Sequence, residues 1–184
     1  MKNKTYFTSR QIAAIAISAA LYGVLSAYIA PIFWSATHLP FFCDTLGMFT
    51  FILTLWWVKK YGAVTATGVI ATIVTLTLNP YSTQFFGFTA ASIVFDILTK
   101  LIGYRNSLEK PKLSVISLLF ASIVSAATAG VIIGYIFMNP NFLIQWFGGV
   151  AFFVALHVTG GVIGAIIGIT LTKALLKRIN LARV

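Results

Sequence analysis

Cysteine and acidic residues are scarce in this chain of 184 residues. The single cysteine, Cys43, excludes an intrachain disulfide and any cysteine-based metal site formed by this chain alone. The only acids are Asp44, Asp96 and Glu109, and they form no acidic metal motif. The sequence also has no Gly-x-x-x-x-Gly-Lys-Ser/Thr loop, so it does not predict a P-loop ATPase.

Charge of either sign is sparse, and its distribution is uneven. Charged residues make up 9% of the chain and hydrophobic residues 59%, with a mean hydropathy of +0.96, whereas an average soluble domain is about 25% charged. No Lys or Arg occurs in residues 11–58, 61–99 or 113–172. The net charge of +10 therefore lies in the termini and short loops, not on the continuous basic face of a nucleic-acid-binding protein. The composition predicts a chain embedded in the lipid bilayer, with no nucleic-acid partner.

The apolar blocks divide into helices of membrane-spanning length, which is about 20 residues. Pro31, Asn79-Pro80 and Asn139-Pro140 mark turns on one side. The first apolar run is longer than a signal-peptide core, which favours a retained first helix. The predicted helices are roughly 9–30, 42–58, 61–78, 84–102, 113–138 and 145–174.

Two crossings per apolar block return every basic cluster to the same side. Cytoplasmic loops collect Lys and Arg, so this side is expected to be cytoplasmic. The sequence thus predicts an all-α membrane protein, a compact six-transmembrane-helix bundle with both termini cytoplasmic. Residues 1–184 are expected to form a single integral membrane domain.

Small residues form a stripe along one face of the first predicted helix: Ala13, Ala16, Ala20 and Gly23. Stripes of this kind let helices approach closely in lipid, where packing drives association. Internal packing of the bundle and docking of a partner protein both account for it.

Aromatic residues collect near the predicted outer ends of the helices. An interfacial belt is the general expectation for most of them. The alternative is an aromatic cup that binds a ring-shaped ligand.

The stretch Ile15-Ala16-Ile-Ser-Ala-Ala20-Leu21, after a basic start and before a six-helix body, resembles the substrate-binding S component of an energy-coupling factor (ECF) vitamin transporter. The resemblance extends along the chain. It includes the polar-aromatic loop Trp34–Pro40, a third helix rich in small residues, Asn79-Pro80 before the fourth helix, and His157-Val-Thr-Gly-Gly161 in the last.

The resemblance implies a function and a set of partners. Such a chain is not an enzyme and needs no cofactor. It binds a small water-soluble vitamin or precursor from outside with high affinity, in the cell membrane of a prokaryote. It then docks through Ala16 and Ala20 onto an ECF transmembrane scaffold subunit driven by two cytoplasmic ATPase subunits. Thiamine or its pyrimidine precursor is the first guess for the ligand, and riboflavin, biotin and cobalamin stay open.

Carried over by position, the resemblance also implies ligand contacts near the outer ends of the later helices, under the first outer loop. Aromatic rings with a few amide and imidazole groups suit a flat heterocycle. The implied residues are Trp34, Tyr81, Gln84, Phe88, Trp146 and His157.

The two intramembrane acids are further candidates, since polar groups at membrane depth are costly. An ion pair between Asp96 and Lys100, one helical turn apart, is the favoured interpretation of Asp96. A contact with a cationic ligand group is the alternative. Asp44 is expected either to cap its helix or to contact ligand.

The two histidines complete the candidate set. His157 is expected to form a hydrogen bond between helices rather than to bind a metal, which would need further ligands. His38 with Asp44 is a weak candidate for a metal site. The chain lacks the His-rich start of metal-type S components, so no metal site is predicted.

Two other functions fit parts of the sequence. A membrane-embedded lipid-modifying enzyme would need catalytic groups converging at one depth, whereas the acids and histidines are spread over the chain. A ligand-free structural or assembly subunit fits the small-residue stripe equally well.

Overall fold

The computed structural model describes residues 5–108 and 110–181, and within them every regular element is helical. Lys2, Lys4 and Arg183 of the basic clusters, and Glu109 of the inner loop, lie outside these ranges. The elements are α1 (Ser9–Thr37), α2 (Phe41–Val58), α3 (Ala63–Leu78), α4 (Phe85–Ile102), α5 (Tyr104–Leu108), α6 (Pro111–Ile132), a π-helical turn (Ile133–Phe137), α7 (Pro140–Phe147) and α8 (Val150–Leu181).

The long helices form a closed ring in the order α1, α3, α4, α6, α8 and α2. Large aromatic and aliphatic side chains fill its centre, including Tyr22, Phe51, Phe88, Phe95 and Phe153. Five of the described helices are long and apolar enough to cross a membrane, whereas α3 is apolar but has only 16 residues. The fold is therefore all-helical and of the multi-pass membrane type. The six crossings and the cytoplasmic side of the termini stay predictions.

The bundle has two chemically different ends. At the basic end (residues 5–11, 58–65, 99–108 and 110–112), Nε2 of Gln11 donates to the carbonyl of Val58 at 3.1 Å, and Nζ of Lys60 donates to the carbonyl of Tyr6 at 2.6 Å. The opposite, aromatic end (residues 31–43, 79–88 and 133–157) holds no Lys or Arg. The charge pattern of the sequence thus separates the two ends of the fold.

The first helix is longer than predicted, because Pro31 lies inside α1 instead of ending it. Proline is tolerated in membrane helices when its surroundings satisfy the freed backbone group. The helix ends at His38, which has a φ of 56° and donates its N–H to the carbonyl of Trp34. Trp34 is consequently in the last turn of α1 and not in the outer loop.

The last predicted helix, 145–174, is two helices. Gly148 and Gly149 break it with φ values of 65° and 123°, a conformation that suits glycine. Asn139, expected to be a turn residue, caps the start of α7, since its side chain accepts from the N–H of Asn141 at 2.9 Å. This break turns α7 over the aromatic end of the bundle.

Candidate functional site

A cavity of about 530 Å³ lies at the aromatic end. This volume is within the usual range for sites that bind small organic ligands, which is about 300–1,000 Å³. Residues of α1, α4, α8 and the connections between helices surround it. The lining residues are Ser26, Ala30, Pro31, Trp34, Pro40, Cys43, Asn79, Tyr81, Ser82, Gln84, Phe85, Phe88, Ile133, Phe137, Met138, Asn139, Phe142, Phe153 and His157.

Aromatic rings make up much of the cavity wall. Phe85 and Phe88 are buried, with ring centroids 5.1 Å apart, and Phe153 lies 4.7 Å from the imidazole of His157. These rings come from α4 and α8, and Trp34 of α1 adds an indole. The arrangement provides flat, apolar faces of the kind that bind a planar ring.

His157 is the one histidine among the lining residues, and its imidazole lies next to Asp44. Its Nδ1 is 2.6 Å from Oδ2 of Asp44, and the two side chains are 2% and 0% exposed. The two atoms are close, but their contact does not meet hydrogen-bond geometry. Nε2 of His157 has no hydrogen-bond partner among the residues that the structure describes. His157 of α8 thus contacts α2 through a close approach to Asp44 and not through the expected hydrogen bond, and its other ring nitrogen is left for a ligand.

Glycines of α8 bring His157 and Asp44 together. Gly160, Gly164 and Gly168 recur every four residues on the face that meets α2. A Cβ on Gly160 would collide with the carbonyl oxygen of Phe41, and one on Gly164 with that of Thr45. The sequence interpretation missed this motif, although Gly-x-x-x-Gly spacing in an apolar helix is a known signal of close helix packing.

A cluster of rings lies next to the cavity, in contact with its lining residues Trp34 and Phe142. His38 stacks on Trp146 with centroids 4.5 Å apart and planes at 14°. Phe142 lies 5.7 Å from Trp146 and 6.2 Å from Trp34. These contacts join the end of α1 to α7, and His38 and Trp146 themselves do not line the cavity.

The structure brings most of the predicted ligand contacts to one place. Five of them line the cavity: Trp34, Tyr81, Gln84, Phe88 and His157. Asp44 contacts His157 but does not line the cavity, and His38 and Trp146 lie beside the lining residues Trp34 and Phe142 without lining it. Phe153, one turn before His157, and Ser26 also line the cavity and were not predicted. Phe153 could have been predicted, because it lies four residues before His157 and so on the same face of the helix.

Asp96 lies away from the cavity, at the basic end, and the predicted ion pair with Lys100 does not form. Oδ2 of Asp96 accepts from the backbone N–H of Thr65 at 3.0 Å and from its hydroxyl at 2.9 Å. Nζ of Lys100 instead lies 4.0 Å from the ring centroid of Tyr61. Thr65 is in the first turn of α3, whose N-cap Gly62 has no side chain to cap it. Asp96 therefore caps α3 from the neighbouring helix, a favourable place for a negative charge.

Replacing Asp96 with alanine is expected to lower the free energy of unfolding by about 1–3 kcal/mol, because the part-buried N–H of Thr65 loses its acceptor. Ligand affinity should stay within twofold of the wild-type value, since Asp96 does not line the cavity. Thermal unfolding and ligand titration of the purified protein measure the two effects. A loss of affinity with unchanged unfolding would contradict this assignment.

The small-residue stripe on α1 divides into two parts. Ala13, Ala16 and Ala20 are exposed on the bundle surface. Gly23 is buried, and a Cβ there would lie 2.8 Å from Cβ of Val74 on α3. Only Gly23 serves internal packing, and the three alanines form an open, smooth surface.

Metal binding has no support in the part of the chain that the structure describes, where no three His, Cys, Asp or Glu residues cluster around one point. His38 and Asp44 are not in ionic contact, because the imidazole of His38 stacks on Trp146 and the carboxylate of Asp44 faces His157.

Comparison with known proteins gives no further assignment. The chain matches no protein-family model, and searches of curated proteins and of solved structures found no significant match.

Proposed function

We propose that this chain is the substrate-binding S component of an ECF-type importer in a prokaryotic cell membrane. The observation that carries the proposal is the aromatic cavity with His157 on its wall, at the end of the bundle opposite the basic clusters. Its ligand is a small, ring-containing, water-soluble vitamin or precursor. Thiamine or its pyrimidine precursor, riboflavin and biotin are of suitable size, and cobalamin is disfavoured by the cavity volume.

The proposal also assigns a partner surface. The exposed alanines of α1 are the docking surface for an ECF transmembrane scaffold subunit, which two cytoplasmic ATPase subunits drive. A ligand-free structural subunit would need this surface but not a cavity lined by rings and an imidazole. A lipid-modifying enzyme would need converging acids, and Asp44 and Asp96 lie at different ends of the bundle.

Ligand binding is the first test of the proposal. The full chain is purified in detergent, and mass spectrometry identifies any molecule that co-purifies with it. Thermal shift assays then use thiamine, its pyrimidine precursor, riboflavin and biotin. We expect at least one of these compounds, or a co-purified one, to raise the unfolding temperature. If no compound is found by either method, the proposal is wrong.

Replacing Trp34 with alanine is expected to weaken binding of that compound about 10- to 100-fold, because the cavity loses a stacking face and its buried apolar area. Trp57 provides the matched control, because it is 58% exposed and lies in the last turn of α2, near the basic end of the bundle. Its replacement with alanine should change the dissociation constant by less than about twofold. Equal effects of the two substitutions would place the ligand elsewhere.

A further inference from the structure

No lysine or arginine in the described part of the chain reaches the cavity to bind an anionic ligand. Among its lining residues there is no Lys, Arg, Asp or Glu. The Lys and Arg residues that the structure describes lie at the other end of the bundle. A carboxylate or phosphate group in this cavity would lose its water without gaining a counter-ion, which is strongly unfavourable. The cavity therefore selects against negative charge.

Asp44 restricts the choice of ligand further, through its effect on His157. Oδ2 of Asp44 lies 2.6 Å from Nδ1 of His157, and both side chains are buried. A lone pair on Nδ1 would be repelled by the carboxylate, so the imidazole proton lies on Nδ1. The hydrogen-bond partner of one ring nitrogen sets the state of the other. In the neutral ring, Nε2, which has no partner in the described chain, is then a hydrogen-bond acceptor.

We infer that the ligand is a neutral or cationic heterocyclic compound that donates a hydrogen bond to Nε2 of His157. A ring N–H, an amino group or a hydroxyl group provides this donor. Asp44 is the positioning residue that determines the direction of the hydrogen bond. The inference rests on the proposed function, because it defines the ligand class of the same cavity.

The effect of ligand charge is tested with a cationic compound, a neutral compound and one pair of compounds matched except for charge. The full chain in detergent is titrated with thiamine, which is cationic, with riboflavin, which is neutral, and with biotin and biotin amide, which differ only in a carboxylate. We expect binding only among thiamine, riboflavin and biotin amide. Binding of biotin at an affinity equal to or above that of its amide overturns the charge inference and leaves the proposed function standing. Binding of none of the four, with no co-purified ligand, overturns both.

The state of His157 is tested by nitrogen NMR. The chain has two histidines, so replacing His38 with alanine assigns the ¹⁵N-histidine spectrum without ambiguity. In the ligand-free wild-type protein we expect a protonated Nδ1 and an unprotonated Nε2, and the Nε2 signal should move when a bound probe is added. A proton on Nε2 in the ligand-free protein overturns the inference, and this measurement needs no substitution of Asp44.

Replacing Asp44 with asparagine removes the negative charge beside Nδ1, and the amide can either accept a hydrogen bond from Nδ1 or donate one to it, so the proton is no longer held on Nδ1 alone. We expect a share of His157 to carry its proton on Nε2 in the NMR spectrum and the dissociation constant of the bound probe to rise roughly 10-fold. Asp96→Asn is the matched control, since it makes the same chemical change at the other buried Asp and should leave both measurements unchanged. A D44N protein with wild-type affinity and an unchanged spectrum overturns the role of Asp44.

Discussion

Leucine at positions 16 and 20 is expected to stop ligand uptake in cells while the purified protein still binds its ligand. Ala16 and Ala20 are exposed on α1, so larger side chains there meet no neighbour within the bundle. In a close interface with a scaffold helix, overpacking costs about 1–3 kcal/mol for each site. Two sites together should weaken the complex roughly 30-fold or more. Uptake of labelled ligand, and co-purification with the scaffold, measure this loss.

Two control variants separate docking from folding. Ala155 is exposed on α8, which does not border α1 in the ring. Its replacement with leucine should leave uptake unchanged. Gly23→Leu should instead abolish both uptake and ligand binding, because Gly23 packs against α3. Loss of ligand binding in the Ala16 and Ala20 variant would show that these alanines support the bundle after all.

Much of this architecture follows from charge and turn residues alone. The Lys/Arg-free blocks predicted long helices and placed the described Lys and Arg residues at one end of the fold. The Asn-Pro pairs marked connections at the other end, where the cavity lies. Such signals are readable because membrane insertion depends on local hydropathy and on charges near the helix ends. Positions near these ends, such as Trp34, Tyr81 and Gln84, could thus be assigned to one region.

Contacts between distant parts of the chain could not be predicted in the same way. Nothing in the sequence near Asp44 indicates His157, because their contact depends on which helices are neighbours in the ring. Asp96 shows the opposite error: Lys100 is near in sequence, yet Thr65 of the adjacent helix holds the carboxylate. Pro31 was also misjudged, since proline is a strong helix breaker in water but not inside a membrane bundle. Signals from neighbouring residues in the sequence therefore predicted the helices well, but they did not predict which helices and side chains contact each other.

The contact between α2 and α8 gives the other large expected effect. Alanine at position 160 places a Cβ against the carbonyl oxygen of Phe41, and alanine at 164 places one against Thr45. Backbone atoms cannot rotate away as a side chain does, so the two helices must separate. We expect each substitution to lower the free energy of unfolding by about 1–3 kcal/mol. Separation of the helices also moves Asp44 from His157, which should weaken ligand binding at least tenfold.

Gly168 supplies a graded control on the same face of α8. A Cβ there would lie 3.1 Å from Cβ of Ile52, a side chain that can shift by a few tenths of an ångström. Gly168→Ala should therefore have a small effect on unfolding and none on ligand affinity, because it lies farther from His157 along the helix. Thermal unfolding and ligand titration rank the three variants, Gly160→Ala, Gly164→Ala and Gly168→Ala, by their loss of stability and of ligand affinity. If Gly168→Ala were as harmful to binding as Gly160→Ala, general loosening of the bundle would explain the loss. If Gly160→Ala bound ligand normally, the close approach of α2 and α8 would not be what holds His157 in place.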